Sequence, residues 1–365
     1  MKIGLLGYGT VGKGFKEIID KTAGFNIVKI LVKKKRNDDI FVYDIDEVLN
    51  NDVDVVVECL SDENLAYECA KKVLSIGIPY ISASKKMLAK HFDLFEIAQK
   101  NNTKLLFEAS CGGGIPWFSN IKRIRQTDKI NEIQGIMNGT CNYILSSIFN
   151  ENKNFSIALR DAQELGYAET DPSDDILGYD TRYKLYLSIL KAFDLIVDVD
   201  DIPCFGIDKL SDSVIDYAKK NNKVIKLIGY AKYDNGLCAN VLPRLVSKSS
   251  VIGNINSNNN ILMCTSNNLG LACFIGQGAG SLPTGFSLAQ DLFELNEKEE
   301  VHTLNKTNVT NNLKTKFIIT TNDMDAYKDY IGELLDINTF ITKCCSLNDI
   351  EKIKKELFLG EIIDD

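Results

Sequence analysis

From Met1 to Ile19 the chain reads MKIGLLGYGTVGKGFKEII, a short apolar strand, then Gly7, Gly9 and Gly12 in GxGxxG spacing, then a helix. Strand, glycine turn and helix in this order are what a dinucleotide site requires. Gly7 permits the tight turn, Gly9 lets main chain approach a pyrophosphate, and Gly12 allows close helix-to-strand packing. Thr10 and Val11 open the helix whose positive N-terminus holds the phosphates. The spacing alone is weak, because a glycine turn without a ligand shares it. The context strengthens it: VDVVVECL reads as a buried parallel strand and PYISAS as another, joined by the apolar-faced helix NLAYECAKKVLSIG, and KLLFEAS closes the series. This alternation predicts an α/β fold with a doubly wound parallel sheet and right-handed crossovers.

The second strand, FNIVKILV, ends about 20 residues past the glycines, where an NAD site places a ribose-reading acid. Here stand Lys33, Lys34, Lys35 and Arg36. Four cations suit the 2′-phosphate of NADP better than a free ribose, with Lys33 and Lys35 as the candidate ligands. NAD stays open, since a solvated basic loop has the same composition and Asp38 or Asp39 can fold back toward a ribose.

A length of 365 residues predicts two domains with room for a small third element. A net charge of −8 argues against nucleic acid as partner. The apolar runs fall short of the ~20 residues that span a bilayer, and a strand that starts at residue 3 leaves no room for a signal peptide, so a soluble cytoplasmic protein is expected. The ten cysteines stand singly apart from Cys344 and Cys345, in no CxxC pattern, and read as reduced thiols. The two histidines, His91 and His302, have no catalytic partners nearby in sequence. A Ser/His/Asp triad is therefore disfavoured, and proton transfer falls to lysine or carboxylate.

The stretch GYAETDPSDDILGYDTRYK, Gly166 to Lys184, packs Glu169, Asp171, Asp174, Asp175 and Asp180 ahead of a lone Lys184. The following LYLSILKAF is apolar almost all round, so this helix enters a core and its first turns line the rim of a cavity. Asp180 and Lys184, four apart, share one face. Read in isolation the pair is an ordinary surface ion pair, of about 0.3 to 0.5 kcal/mol.

Glycine-rich turns recur at CGGGIPW and CFIGQGAGSLPTG, on either side of IQGIMNGTCNYIL, a strand that turns at Asn138 and Gly139 into a helix. Such spacing suggests a chain that leaves the nucleotide domain and returns to it. Taken together, GYGTVG, SASKK, FEASCGGGIP, GIMNGTCNYIL, the acidic stretch and GQGAGSLPTG resemble homoserine dehydrogenase in order and spacing over roughly residues 1 to 295.

The resemblance implies NAD(P)-dependent interconversion of L-homoserine and L-aspartate 4-semialdehyde, a step of threonine, methionine and isoleucine biosynthesis. It makes Lys184 the proton-transfer residue, with Asp180 orienting it and holding substrate, and places Lys85 beside nicotinamide and substrate. Glu169 and Asp174 become substrate ligands, whereas Asp171 and Asp175 read as turn and capping residues. Gly166 and Gly280 match positions that touch cofactor through main chain. FEASCGGGIP resembles a loop that holds a sodium ion, with Glu108 and the main chain of Cys111, Gly113 and Ile115 as ligands; a glycine loop without metal fits as well. The sequence departs from the family at Cys141, where threonine is common, and at Trp117, where an aliphatic residue is usual. Both bear on packing and substrate fit. The resemblance also implies a homodimer, paired through the substrate-domain sheet. The competing readings are a Rossmann oxidoreductase for another small amino acid and a non-catalytic NADP-binding sensor.

The expected organisation is a Rossmann domain over 1–130, an α+β substrate and dimerisation domain over 131–283, a helix over 284–298 returning to the first, and an extension over 299–365. The substrate-domain strands are expected in KINEIQGIM, KVIKLIGYAKYD, GLCANVLPRLV, NILMCTS and GLACFIG. The extension, outside the resemblance, reads as strand TKFIITT, helix DAYKDYIGELL, strand TFITKCC and helix NDIEKIKKEL. That falls short of the six-element ferredoxin-like pattern; a structural extension is favoured over a reduced regulatory module like the ACT domains of some relatives.

Overall fold

A computed structural model describes residues 1–297, 303–354 and 356–363. His302 and residue 298 lie outside the described residues. The chain forms two units, Met1–Ile121 with Gly276–Thr303, and Lys122–Ile275 with Leu304–Asp365.

In the first unit, β1 (Lys2–Leu6), β2 (Asn26–Leu31), β3 (Phe41–Val42), β4 (Val55–Glu58), β5 (Tyr80–Ser82) and β6 (Leu105–Leu106) form one parallel sheet in the order β3-β2-β1-β4-β5-β6. This is the doubly wound order, with its switch point between β1 and β4. All of Val55–Glu58 is buried, as a central strand covered on both faces must be. Helix Ser281–Glu294 returns to this unit and packs on helix Thr10–Ile19 at a contact only glycines allow. A Cβ on Gly14 would meet the Ser281 carbonyl oxygen at 2.2 Å, and one on Gly285 the Phe15 nitrogen at 2.5 Å.

The second unit is built on β7 (Ile130–Ile136), β9 (Lys223–Tyr233), β10 (Leu237–Ser247), β11 (Asn259–Ser266) and β12 (Gly270–Gln277); β7 and β9 lie inside segments expected to be strands, and the other three extend one residue beyond theirs. The short β8 (Leu195–Ile196) pairs apart from them with β13 (Asn305–Lys306). The α/β class and the Rossmann sheet match the sequence reading.

The tail does not. It contains β14 (Lys314–Thr321), β15 (Ile331–Leu334), β16 (Thr339–Thr342), β17 (Cys345–Ser346) and β18 (Glu356–Ile362). DAYKDYIGELL, expected as a helix, breaks into a 3-10 turn at Met324–Tyr327 and strand β15, and the helix expected in NDIEKIKKEL stops at Glu351. The order β18-β14-β16-β15, antiparallel throughout, with a helical turn after β14 and a short helix before β18, is the split βαβ arrangement that seemed to be missing. Its β18 adds in parallel to β10, Arg244 beside Glu361, so both sheets merge into one of ten strands.

One buried charge in this sheet lacks a carboxylate among its hydrogen-bond acceptors. Lys226 on β9 is 2% exposed, and its ammonium donates to Asn142 Oδ1 at 3.0 Å and to the Ile255 carbonyl at 2.5 Å. Desolvation lowers its pKa to about 8. Because the folded value lies below the unfolded one, the cost of burying the charge is full below pH 8 and disappears toward ~10.4, the free lysine value. The melting temperature of the native protein is therefore expected to rise from pH 7 to pH 10 relative to that of Lys226→Met. A difference between the two that stays constant over this range would refute the assignment.

Candidate active site

The residues of the nucleotide fingerprint lie in the first unit. Gly7 has φ +95°, and a Cβ there would meet the Cys59 carbonyl oxygen at 2.6 Å; one on Gly12 would meet that of Gly7 at 2.3 Å. Gly9 is different, since a Cβ would meet nothing within 4 Å. The turn is thus closed by two glycines and left open over the third, at the N-terminus of helix Thr10–Ile19, where a pyrophosphate fits. Thr10 is tied down by Ser281 Oγ, which donates to its carbonyl at 2.7 Å, and Val11 packs on the sheet core.

Beyond β2 the four cations separate. Lys33 pairs with Asp62 at 2.8 Å, and Lys35 is exposed. Arg36, absent from the candidates, places its guanidinium 5.2 Å from the Tyr8 ring and 5.1 Å from the Phe41 ring, beside the glycine turn. Asp38 accepts from the Ile40 amide and serves its own turn. A guanidinium in a basic run is the signal that singles out Arg36, because a fork of donors fits phosphate where a lysine offers a point charge.

Lys85 begins helix Lys85–Lys90 directly after the turn that leaves β5. That turn is organised by Glu58, the last residue of β4, which is fully buried. Its Oε2 accepts from Ser82 Oγ at 2.6 Å, and its Oε1 from Ser84 Oγ at 2.9 Å and the Leu60 amide at 2.5 Å. Burial raises its pKa, against these three donors.

In FEASCGGGIP the Glu108 carboxylate faces a helix end. Oε1 accepts from the Phe118 amide at 2.9 Å and Oε2 from that of Ser119 at 2.8 Å, capping helix Trp117–Arg125. Burial pushes its pKa up to about 7. The Gly113 carbonyl accepts from Ser287 Oγ at 2.6 Å and that of Ile115 from the Trp117 amide at 2.8 Å. Cys111 is buried at the centre of the loop. Among the described residues no cluster of three His, Cys, Asp or Glu side chains is placed to hold a metal.

The proton-transfer candidates lie in the second unit. Asn138 ends the segment after β7 and caps helix Gly139–Glu151, its Oδ1 accepting from the Cys141 amide at 2.8 Å. Its Nδ2 donates to Asp180 Oδ2 at 2.8 Å and to Asp175 Oδ1 at 2.6 Å. Lys184, 8% exposed, donates to the same Asp180 oxygen at 2.7 Å and to the Met137 carbonyl at 2.7 Å. The i,i+4 pair is therefore a buried one that pins an ammonium at the first turn of helix Tyr179–Phe193, not a surface pair. Asp175, read as a capping residue, belongs to this cluster. Burial first, then the neighbouring Asp180, raises its pKa. Asp171 is the turn residue expected, accepting from the Ser173 amide.

Glu169 and Asp174 are exposed on the acidic stretch, and Gly166, φ +74°, ends helix Phe155–Glu164 in the left-handed conformation. Gly280, φ +134°, precedes helix Ser281–Glu294. Cys141 donates its thiol hydrogen to the Asp175 carbonyl at 3.1 Å, as a hydroxyl at this position would. Trp117 is fully buried.

The comparisons with known proteins agree with this geometry. The family profile described as "Homoserine dehydrogenase, NAD binding domain" matches residues 7–108, and that described as "Homoserine dehydrogenase" matches 116–293. The homoserine dehydrogenase of Helicobacter pylori is 31% identical over 315 residues, covering 82% of this chain and 74% of its own. That of Bacillus subtilis is 32% identical over 313 residues, covering 80% and 72%. Among solved structures, a homoserine dehydrogenase from Thiobacillus denitrificans superposes with a TM-score of 0.88 at 25% identity, covering 100% of this chain and 98% of its own. The tail expected to fall outside the resemblance is thus shared with that structure. Relatives this similar, over this much of both chains, leave one reading: the chain belongs to the homoserine dehydrogenases, NAD(P)-dependent oxidoreductases that interconvert L-homoserine and L-aspartate 4-semialdehyde.

Proposed function

We propose that Lys184 is the proton-transfer residue of this reaction. The observation that carries the reading is its buried ammonium, fixed by Asp180 and the Met137 carbonyl through two of its three N–H groups. The third is left to meet the substrate oxygen. Bound NAD(P) supplies the hydride donor or acceptor. As hydride reaches the aldehyde carbon, Lys184 gives its proton to the oxygen that becomes the hydroxyl; in the reverse direction the neutral amine takes it back. Asp180 orients the lysine, and Asp175 joins Glu169 and Asp174 as candidate anchors for the substrate ammonium. Lys85 is the candidate cation at the nicotinamide end. With L-aspartate 4-semialdehyde and NADPH, Lys184→Ala is expected to lose about 10³-fold in kcat while circular dichroism shows a native fold. A folded variant with near-native turnover would remove Lys184 from this role.

The cofactor is read as NADP, with Arg36 and Lys35 on its 2′-phosphate and Lys33 playing a lesser part because Asp62 engages it. A solved archaeal homoserine dehydrogenase, 22% identical and similar in fold at a TM-score of 0.69, is described in complex with NADPH. Arg36→Ala is expected to raise the KM for NADPH about tenfold, the loss of one charge-assisted contact, and to leave that for NADH within about twofold. Equal changes for both would rule out the phosphate contact.

For a monovalent cation, the main-chain carbonyls of the Cys111–Ile115 loop are oxygen donors of the right hardness. The Glu108 carboxylate is turned away to its helix cap and does not fit as a ligand.

A homodimer is supported by β12, the end strand of the ten-stranded sheet, which exposes Leu271, Cys273 and Ile275. Leu271→Asp is expected to convert a dimer into a monomer in sedimentation velocity; an unchanged dimer would place the interface elsewhere. A cytoplasmic setting agrees with ten free thiols. Among the described residues no helix is long and apolar enough to cross a membrane.

A further inference from the structure

The Ser82–Ser84 turn is explained by Glu58, but a buried carboxylate at this place has a consequence beyond holding a turn. Glu58 is in register with Leu6, so it stands at the carboxyl ends of β4 and β1, on the switch point where a dinucleotide lies. Its carboxylate oxygens accept three hydrogen bonds, from the Leu60 amide and the hydroxyls of Ser82 and Ser84. Three donors suit an ionised carboxylate; a neutral acid would need an acceptor for its own proton. If the phosphates sit over Gly9 and the adenosine half over the end of β2, the nicotinamide half must cross the ends of β4 and β5. That ring carries a positive charge when oxidised and none when reduced.

We infer that Glu58 sets the redox preference of cofactor binding, its fixed negative charge favouring NADP⁺ over NADPH. The inference rests on the cofactor reading above. It also gives the serines of SASKK a task, since they keep the charge ionised and in place where a glutamate alone would be buried without partners.

The test is direct titration of NADP⁺ and of NADPH against the full-length protein by calorimetry, for the native chain, Glu58→Gln and Ser82→Ala. Glutamine keeps the size and removes the charge. It is expected to weaken NADP⁺ about tenfold, as the loss of one charge at a partly shielded separation of several ångström implies, and to leave NADPH within about twofold. Ser82→Ala removes one of the donors that keep Glu58 ionised and is expected to lower the NADP⁺ preference in the same direction as Glu58→Gln, by a smaller factor. Equal weakening of both forms by Glu58→Gln would reduce Glu58 to a turn-builder and overturn the inference. Failure of the native chain to bind either form would instead overturn the cofactor reading.

A second measurement does not depend on the variant folding. As pH falls from 8 to 5, protonation of Glu58 should erode the NADP⁺ preference of the native protein, while the 2′-phosphate, common to both forms, cancels from the ratio. The titratable groups that interact with Glu58 are Cys59 beside it, Cys69 on helix Glu63–Ser75 and Tyr80 on β5, all held protonated here by burial, and Lys85 and Lys86 begin the next helix. A ratio that is flat over this range, together with a ratio unchanged in Glu58→Gln, would exclude any charge effect.

Discussion

The second unit depends on a buried ion pair that does not stand alone. Taking Lys184 and Asp180 out of water costs several kcal/mol per ion, and their mutual attraction offsets this only where the remaining donors and lone pairs are satisfied. Here Asn138 shares the Asp180 oxygen that Lys184 uses, and the Met137 carbonyl takes a second lysine proton, which leaves one lysine N–H over. Met137 and Asn138 are consecutive, at the point where β7 gives way to a helix, so strand, cap and ion pair fix one another. Gly229 on β9 allows this closeness, since a Cβ there would lie 3.1 Å from Thr181 and 3.2 Å from the Met137 sulfur. The sheet therefore sets the height of helix Tyr179–Phe193 above it, and with it the position of the ammonium.

The first unit solves a related problem with different means. Its buried acids are held by hydrogen-bond donors: Glu58 by two serines and an amide, Glu108 by the free amides at the start of helix Trp117–Arg125. Each acid fixes a loop that leaves a strand end. In a doubly wound sheet those loops form the ligand crevice, so acids that are structural by their contacts are placed where they also shape the field a cofactor meets.

Much of this was legible in the chain. The glycine turn, the strand series, the NGT cap and the lone lysine after an acidic run are local patterns whose chemistry needs those residue types at those spacings. What stayed hidden depended on contacts far apart in sequence. Asp175 looks like a capping residue because it sits among turn formers; only Asn138, 37 positions earlier, turns it into the site. Arg36 is one of four cations until the Tyr8 and Phe41 rings select it. In the tail, DAYKDYIGELL carries a good helical pattern, yet pairing of Ile331, Glu333 and Leu334 with β16 outweighs that propensity.

The same long-range logic bears on how the tail is attached. A module joined only by a linker would keep its own sheet, but here β18 lies in parallel on β10, and Arg244 reaches Glu361 at 2.7 Å with its guanidinium 4.4 Å from the Tyr230 ring. Leu242 of β10 lies in one apolar cluster with Phe317, Ile319 and Phe340 of the tail, and Asn311 is hydrogen-bonded along β10 on the way there. Arg244 is also directly opposite Lys226 in the β9–β10 ladder, a like-charge neighbour that a two-domain sheet would leave uncompensated. Glu361 supplies the compensating charge, so the core strands of the second unit are electrostatically complete only with the tail in place. The split βαβ unit is thus part of the sheet that sets helix Tyr179–Phe193, and any change in its packing is felt first by β10 and β9, the strands that support Lys184.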